Sequence, residues 1–333
     1  MSARMSNIHL TMALSGYDHA RDLLDGTVPV GGVDLTILNL PVEEIFYRFT
    51  IHREWDASEM SFAKFIALRS QGDDSLVGIP VFVSRAFRHS SLYVRADSDI
   101  TRPEQLAGKR VGIPEWAQTA AIYSRGMIAH DHGVDLTSIH WHQAGVNDPG
   151  RVEKVKLNLP AGLRYTQVPD KSLSEMLISG DLDAILTARP PASYGAANSP
   201  IRRVFENYRD VELDYWKRTG IFPIMHVVVL RRDIYERHRW IAMNLFKAFE
   251  EAKNRSLARV TDITLSFFPL PWMPDNAQVL QSLAGEDFWP YGIEANRTTL
   301  EAFAQYAFEQ GVCHKKVVVE DLFAPEVRSK FKV

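Results

Sequence analysis

Apolar residues recur along the chain at two spacings, and the switches between them mark out most of the elements. Ile8, Leu10 and Met12 alternate with His9 and Thr11, the period-two pattern of a half-buried strand. Ser15-Gly16-Tyr17-Asp18 then breaks the pattern ahead of Ala20 to Leu24, so the order is strand, loop, helix. Val33 to Leu38 reads as a second strand, stopped by Asn39 and Pro41, and Val42 to Ile51 has helical spacing through Ile45, Phe46 and Phe49. Asp56 to Ser61 precedes Phe62, Phe65, Ile66 and Leu68, which predicts a helix start there with Ser58 or Ser61 as N-cap and its amides free to face a ligand. Glu59 then falls at an early helical position, where a carboxylate also suits the macrodipole.

Ile79 to Val83 and Leu92 to Val94 are short and β-rich, with the polar, hairpin-like piece Ser84 to Ser91 between them. Beyond Thr101 the chain starts afresh. A short turn at Pro103 to Leu106 leads to a strand near Val111, Trp116 to Ala121 opens a helix that Gly133 stops, and Ser172 to Ile178 is a helix ended by Gly180. The strand Asp183 to Thr187 delivers Arg189-Pro190-Pro191 at its carboxyl end. Ile224 to Leu230 returns to a β signature, followed by helices with Ile241, Leu245, Ala248, Phe249 and Ala252 on one face and with Leu300, Phe303, Ala304, Ala307 and Phe308 on another. Strands alternating with helices, with few hairpin signals, predict α/β layers around mostly parallel sheets.

Composition narrows the function classes. The 333 residues include 46% hydrophobic and 24% charged side chains, which fits roughly two domains at about 150 residues each. A single cysteine, Cys313, excludes disulfide scaffolds and CxxC chemistry. With 38 basic against 41 acidic side chains and a net charge of -3, the chain has no electrostatic footprint for nucleic acid or anionic lipid. Its opening residues lack an apolar h-region and its longest apolar runs are strand-length, so no export signal, no membrane span and a cytoplasmic location are expected. Neither GxGxxG nor GxxxxGK occurs, and His140-Trp141-His142 offers two imidazoles without a third ligand, so no cofactor and no metal are expected. Cys313 and His314 diverge in regular structure and make a poor nucleophilic pair.

Several segments carry a family resemblance. Pro103 to Pro114, with Gln-Leu-Ala-Gly-Lys-Arg-Val-Gly-Ile-Pro, and Ser179 to Ala184 resemble two junctions of the second lobe in type II periplasmic-binding-protein folds. Ser58-Glu59-Met60-Ser61, Phe87-Arg88-His89-Ser90, Asn147 to Arg151 and Pro223-Ile224-Met225-His226 resemble the 4,5-dihydroxyphthalate decarboxylase family. The resemblance implies a two-lobed α/β architecture with mixed sheets and an interlobe cleft. Residues 1–95 and 222–333 would form lobe I and 100–215 lobe II, with crossings near 95–100 and 215–222. It further implies decarboxylation of a hydroxylated aromatic diacid to 3,4-dihydroxybenzoate without a cofactor. A small aromatic carboxylate would then be the partner, and a homo-oligomer remains open. The rival readings are a non-catalytic binding protein for an organic anion, and a different small-molecule enzyme on the same fold, such as a thiamine-pyrimidine-related protein.

Such a reaction needs cations for carboxylates and an acid at the ring carbon that bears the leaving group. Arg85, Arg88 and Arg189 are the candidate carboxylate partners, since the guanidinium fork matches two oxygens, although Arg88 can instead brace the hinge. His89 and His226 are the candidate proton donors, and Glu59 either takes a phenolic proton or orients a histidine. Trp116, Gln118 and Thr119 open a helix whose amides suit an anion, and Tyr17, Asp18 and Ser61 complete the expected substrate contacts.

Overall fold

The computed structural model describes residues 7–329. Residues 1–6, read above for an export signal, and residues 330–333 of the expected first lobe lie outside the described residues. Among the described residues the strands are β1 (Ile8–Leu14), β2 (Val33–Asn39), β3 (Ala57–Ser61), β4 (Leu76–Arg85), β5 (Leu92–Arg95), β6 (Arg110–Ile113), β7 (His140–Gly145), β8 (Arg164–Ser172), β9 (Ala184–Leu186), β10 (Ile201–Arg203) and β11 (Ile224–Arg231). They form two mixed sheets in a two-lobed α/β architecture, ordered β2-β1-β3-β11-β4 and β10-β5-β9-β6-β7-β8.

The first sheet draws its strands from both ends of the chain and the second from the middle. β1 pairs in parallel with β2 and β3, while the returning β11 enters antiparallel between β3 and β4. Burial explains why β11 sits centrally: Val227, Val228, Val229 and Leu230 are all fully buried, and two covered faces demand a continuous apolar run. Helices Trp240–Thr261 and Arg297–Glu309 cover this core with Ile241, Leu245 and Phe249, and with Leu300, Phe303 and Ala307.

Two expectations are corrected here. Ala57–Ser61 is a strand rather than the start of a helix, which begins at Phe62 and runs to Ser70, so Glu59 is a strand residue. All five residues of β3 are buried between β1 and β11, and tertiary pairing outweighs a sequence without β-branched residues. The Ser84–Ser91 piece is no hairpin. β4 ends at Arg85 and β5 pairs with β9 and β10 in the other sheet, so this segment passes between sheets and Leu92–Arg95 lies on the far side of it. β8 carried no sequence signal because most of its residues are exposed and polar along the sheet edge. Gly145 closes β7 where a Cβ would lie 1.8 Å from Asp148 O, which lets the following loop fold back with Arg151 and Lys154. Among the described residues no helix is long and apolar enough to cross a membrane.

Candidate active site

A cleft of about 250 Å³ opens where the helix Phe62–Ser70 meets the loop after β6 and the N-terminus of the helix Thr119–His130. One wall carries acid–base groups. In the antiparallel pairing of β3 with β11, His226 lies opposite Ser61 and Val228 opposite Glu59, so Glu59 and His226 are diagonal neighbours on one face of the sheet. His226 Nδ1 lies 2.6 Å from Glu59 Oε1. Glu59 is completely buried, and its other oxygen accepts the Ser15 N–H at 3.0 Å. Tyr17, just past the carboxyl end of β1, donates its hydroxyl to Glu59 Oε1 and lies 3.1 Å from His226 Nδ1. Burial first, and then the Glu59 charge and hydrogen bond, push the Tyr17 phenol far above its ordinary value, so it stays protonated. Phe46 sets its ring edge-on against the imidazole at 4.8 Å. His226 lines the cleft, and its Nε2 makes no hydrogen bond among the described residues.

The opposite wall is an ion network. Buried Lys64 pairs with Glu115 at 2.8 Å and Glu153 at 2.7 Å, and Glu115 also meets Arg151 at 2.7 Å and Lys154 at 3.3 Å. Burial pushes the Glu115 carboxyl up, but the three cations outweigh it and hold it at about 2. Ser61 Oγ and Thr119 Oγ1 are 3.0 Å apart, and Thr119 Oγ1 also accepts the Ala63 N–H at 3.1 Å, which ties the end of β3 to the start of the helix Thr119–His130 at the cleft. Gln118 lines the cleft with Oε1 buried and without a partner.

The structure therefore gathers Glu59, His226, Tyr17, Ser61, Gln118, Thr119 and Arg189 at or beside the cleft. Arg189 sits at the mouth, largely exposed and paired with Glu43. Four expected site residues are placed elsewhere. His89 is buried between Phe205 and Tyr215, its ring nitrogens without hydrogen bonds and Nδ1 4.0 Å from Glu212 Oε1, and burial lowers it to about 4. Arg85 donates to Phe222 O at 3.2 Å, Pro290 O at 2.7 Å and Asn296 Oδ1 at 2.5 Å, bracing β4 against the C-terminal segment. Trp116 is fully buried, with Nε1 donating to Gln310 O at 2.7 Å and Arg125 stacked on its ring. Asp18 accepts from Ser256 Oγ at 2.7 Å and anchors the loop after β1 to the helix Trp240–Thr261.

Lys64, Glu115, Arg151 and Lys154 were missed as site residues. A signal existed for Lys64, the one charge in the otherwise apolar run Phe62 to Leu68. Cys313 is buried, and burial pushes its thiol up to about 12, which leaves no thiolate near neutrality.

No family model matches the chain. A 4,5-dihydroxyphthalate decarboxylase of Comamonas testosteroni is 34% identical over 330 residues, covering 99% of this chain and 100% of the relative. A second protein of that name, from Pseudomonas putida, is 34% identical over 214 residues, covering 64% of this chain and 83% of the relative. Among solved structures, the periplasmic aliphatic sulphonate binding protein of Escherichia coli superposes with a TM-score of 0.54 at 14% identity, covering 97% of this chain and 99% of that one. At that identity the likeness concerns the fold.

Proposed function

The chain belongs to the 4,5-dihydroxyphthalate decarboxylase family, and from that premise we propose that it removes one carboxylate from 4,5-dihydroxyphthalate as carbon dioxide, leaving 3,4-dihydroxybenzoate. The observation that carries this reading at the site is the pairing of cleft-lining His226 with the fully buried Glu59 carboxylate, 2.6 Å from Nδ1. An Nδ1–H donated to Glu59 fixes the ring and stabilises the imidazolium, which leaves Nε2 as the atom that faces substrate. Glu59 lies behind the imidazole, so its role is to orient His226 rather than to take a phenolic proton.

In the proposed step, Nε2–H of the imidazolium protonates the ring carbon that bears the departing carboxylate. The para hydroxyl supplies the electron pair, so the ring becomes a protonated dienone. The bond to the carboxylate carbon then breaks, its electrons restore the aromatic ring, and neutral carbon dioxide leaves. Gln118 Oε1, buried without a partner, would accept a hydrogen bond from a substrate hydroxyl as positive charge builds on that oxygen. Ser61 and Thr119 hold the lobes in register around the ring.

We further propose the two-lobe division expected from the sequence, 1–95 with 222–333 and 100–215, moved at one boundary because Leu92–Arg95 pairs with β9 and β10 and so goes with the second lobe, and that the protein works in the cytoplasm. The test is direct: purified protein is incubated with 4,5-dihydroxyphthalate while substrate absorbance and released carbon dioxide are followed together. Stoichiometric formation of 3,4-dihydroxybenzoate supports the reading. Binding of the diacid with no carbon dioxide would instead favour a solute-binding role, the activity named for the sulphonate-binding fold relative.

A further inference from the structure

We propose that Arg88 holds the carboxylate that stays on the ring, so that only a ring with a second, neighbouring carboxylate presents one to His226. The inference rests on the decarboxylase reading. Five cationic side chains line the cleft: Lys64, Arg88, Arg151, Lys154 and Arg189. Four of them have protein carboxylates as partners, Lys64, Arg151 and Lys154 through Glu115 and Arg189 through Glu43. Among the described residues Arg88 alone of the five has none. Its Nε and Nη2 meet Met225 Sδ at 3.3 and 2.9 Å, and a thioether is a weak acceptor. The acidic neighbour Glu212 accepts the Ser90 N–H at 3.2 Å and forms no ion pair with Arg88 among the described residues. Desolvation lowers Arg88 only to about 10, so it remains charged near neutrality. Glu212 acts on Arg88 only from beyond contact distance; a desolvated charge without a contacting counter-ion is costly to keep, and a ligand anion would relieve that cost.

Its position selects which carboxylate it takes. Met225 and His226 are consecutive in β11 and would face opposite sides of a regular strand, yet both line the cleft. The pairing of β11 with β4 shifts register on either side of His226, and such an irregularity re-aims side chains. An anion at Arg88 therefore lies about one residue along from the imidazole. The carboxylate that leaves must surrender its charge to become carbon dioxide, and a guanidinium fork on it would stabilise the ground state more than the transition state. The carboxylate that stays keeps its charge throughout, so a cation there does not oppose the chemistry. A ring with one carboxylate seats it at Arg88 and offers His226 a C–H, which explains why the product would not be decarboxylated again.

The test compares wild type with Arg88→Met, which fits beside Met225, and Arg88→Lys, which keeps the charge but loses the fork. Inhibition of diacid turnover by 3,4-dihydroxybenzoate and by catechol is measured alongside kcat and KM. In wild type the acid should inhibit on the order of 10²-fold more tightly than catechol, and in Arg88→Met that ratio should fall close to one, with KM rising more than kcat falls. Arg88→Lys should retain part of the preference, and it carries the test if Arg88→Met does not fold. A merely structural role would not move the acid-to-catechol ratio, so a wild-type ratio in both variants overturns the inference. Should wild type bind 3,4-dihydroxybenzoate in calorimetry but release no carbon dioxide from the diacid, the decarboxylase reading fails, while weakened binding in Arg88→Met still supports Arg88 as the anion site. Decarboxylation that proceeds with undiminished acid binding in Arg88→Met overturns the Arg88 assignment alone.

Discussion

His226 and His89 both flank the segments that pass between the two sheets, and their surroundings are opposite. His226 has a buried carboxylate at 2.6 Å and an open cleft on its other side. His89 has Phe205 and Tyr215 edge-on at 5.6 and 4.9 Å, no hydrogen bond on either nitrogen, the Glu212 carboxylate no nearer than 4.0 Å, and a pKa lowered to about 4 by burial. One ring meets a carboxylate at the wall of a cleft; the other is held neutral inside an aromatic cage. What separates them is the diagonal neighbour in the sheet, Glu59, rather than anything in the immediate sequence of either histidine. Arg88 and Arg85 divide in the same way, one facing the cleft beside a thioether and the other spent on carbonyls.

The sharpest break in this comparison is a pair of substitutions. His226→Asn should lower kcat by roughly 10²–10⁴-fold with the fold intact, because it removes the proton donor at the ring carbon. His89→Phe should leave kcat within about 3-fold, since its ring touches packing and no substrate. Steady-state kinetics on both variants check this, and a reversal of the two effects would exchange the histidines' roles.

Acidification separates the two sites next. Burial lowers His89 to about 4 in the folded protein, against an ordinary imidazole value of 6.5 once unfolded, so the unfolded chain binds more protons between those limits. Its contribution to stability is complete above pH 6.5 and is lost as pH falls towards 4, about 2 kcal/mol of it between pH 7 and pH 5. His19, likewise lowered to about 4, by burial and despite its contact to Val83 O, adds to the slope in the same window. His89→Phe should remove its own share, so denaturant unfolding at pH 7 and pH 5 should show a smaller loss than wild type. An unchanged loss would mean that His89 is not held neutral.

The two environments also mark what the sequence could disclose. β1, β2, β11 and the helices around Ile241 and Leu300 were legible because their apolar spacing matches one buried face or a fully buried run. β3 was not, since Ala57-Ser58-Glu59-Met60-Ser61 reads as a helix start until β1 and β11 close on it. At the site, Glu59, His226 and Tyr17 could be singled out by residue type and family resemblance, but their mutual geometry depends on a pairing between positions 167 residues apart. For the same reason the sequence could not tell Arg85 from Arg88, which are three residues apart on a segment whose path between sheets was unknown. The ion network of Lys64, Glu115 and Arg151 joins three separate segments, and nothing local to any of them foretells it.

Removing charge from Glu59 while keeping its shape tests the feature that sets His226 apart. Glu59→Gln can still accept from Nδ1–H but no longer balances an imidazolium, so kcat should fall by about 10–10²-fold, less than for loss of the histidine itself. Single-turnover measurements on this variant check whether the loss lies in the chemical step. A variant with wild-type kcat would show that the buried carboxylate is structural.

Tyr17 should give the smallest effect. Burial and the Glu59 charge keep its phenol protonated well beyond neutral pH, so it cannot serve as a base, and its hydroxyl faces Glu59 rather than the cleft. Its hydrogen bond holds Glu59 Oε1 where His226 Nδ1 also meets it, and the Ser15 N–H fixes the other oxygen. With one of these restraints removed in Tyr17→Phe, the carboxylate keeps its burial and two remaining contacts. A loss in kcat of about 3- to 10-fold is expected, the scale of one neutral hydrogen bond at a positioning group. Because no proton passes through the phenol, the pH dependence of kcat should keep its wild-type shape. A loss as large as that of His226→Asn, or a displaced pH profile, would make Tyr17 a participant in proton transfer and enlarge the contrast with the His89 side by one more group.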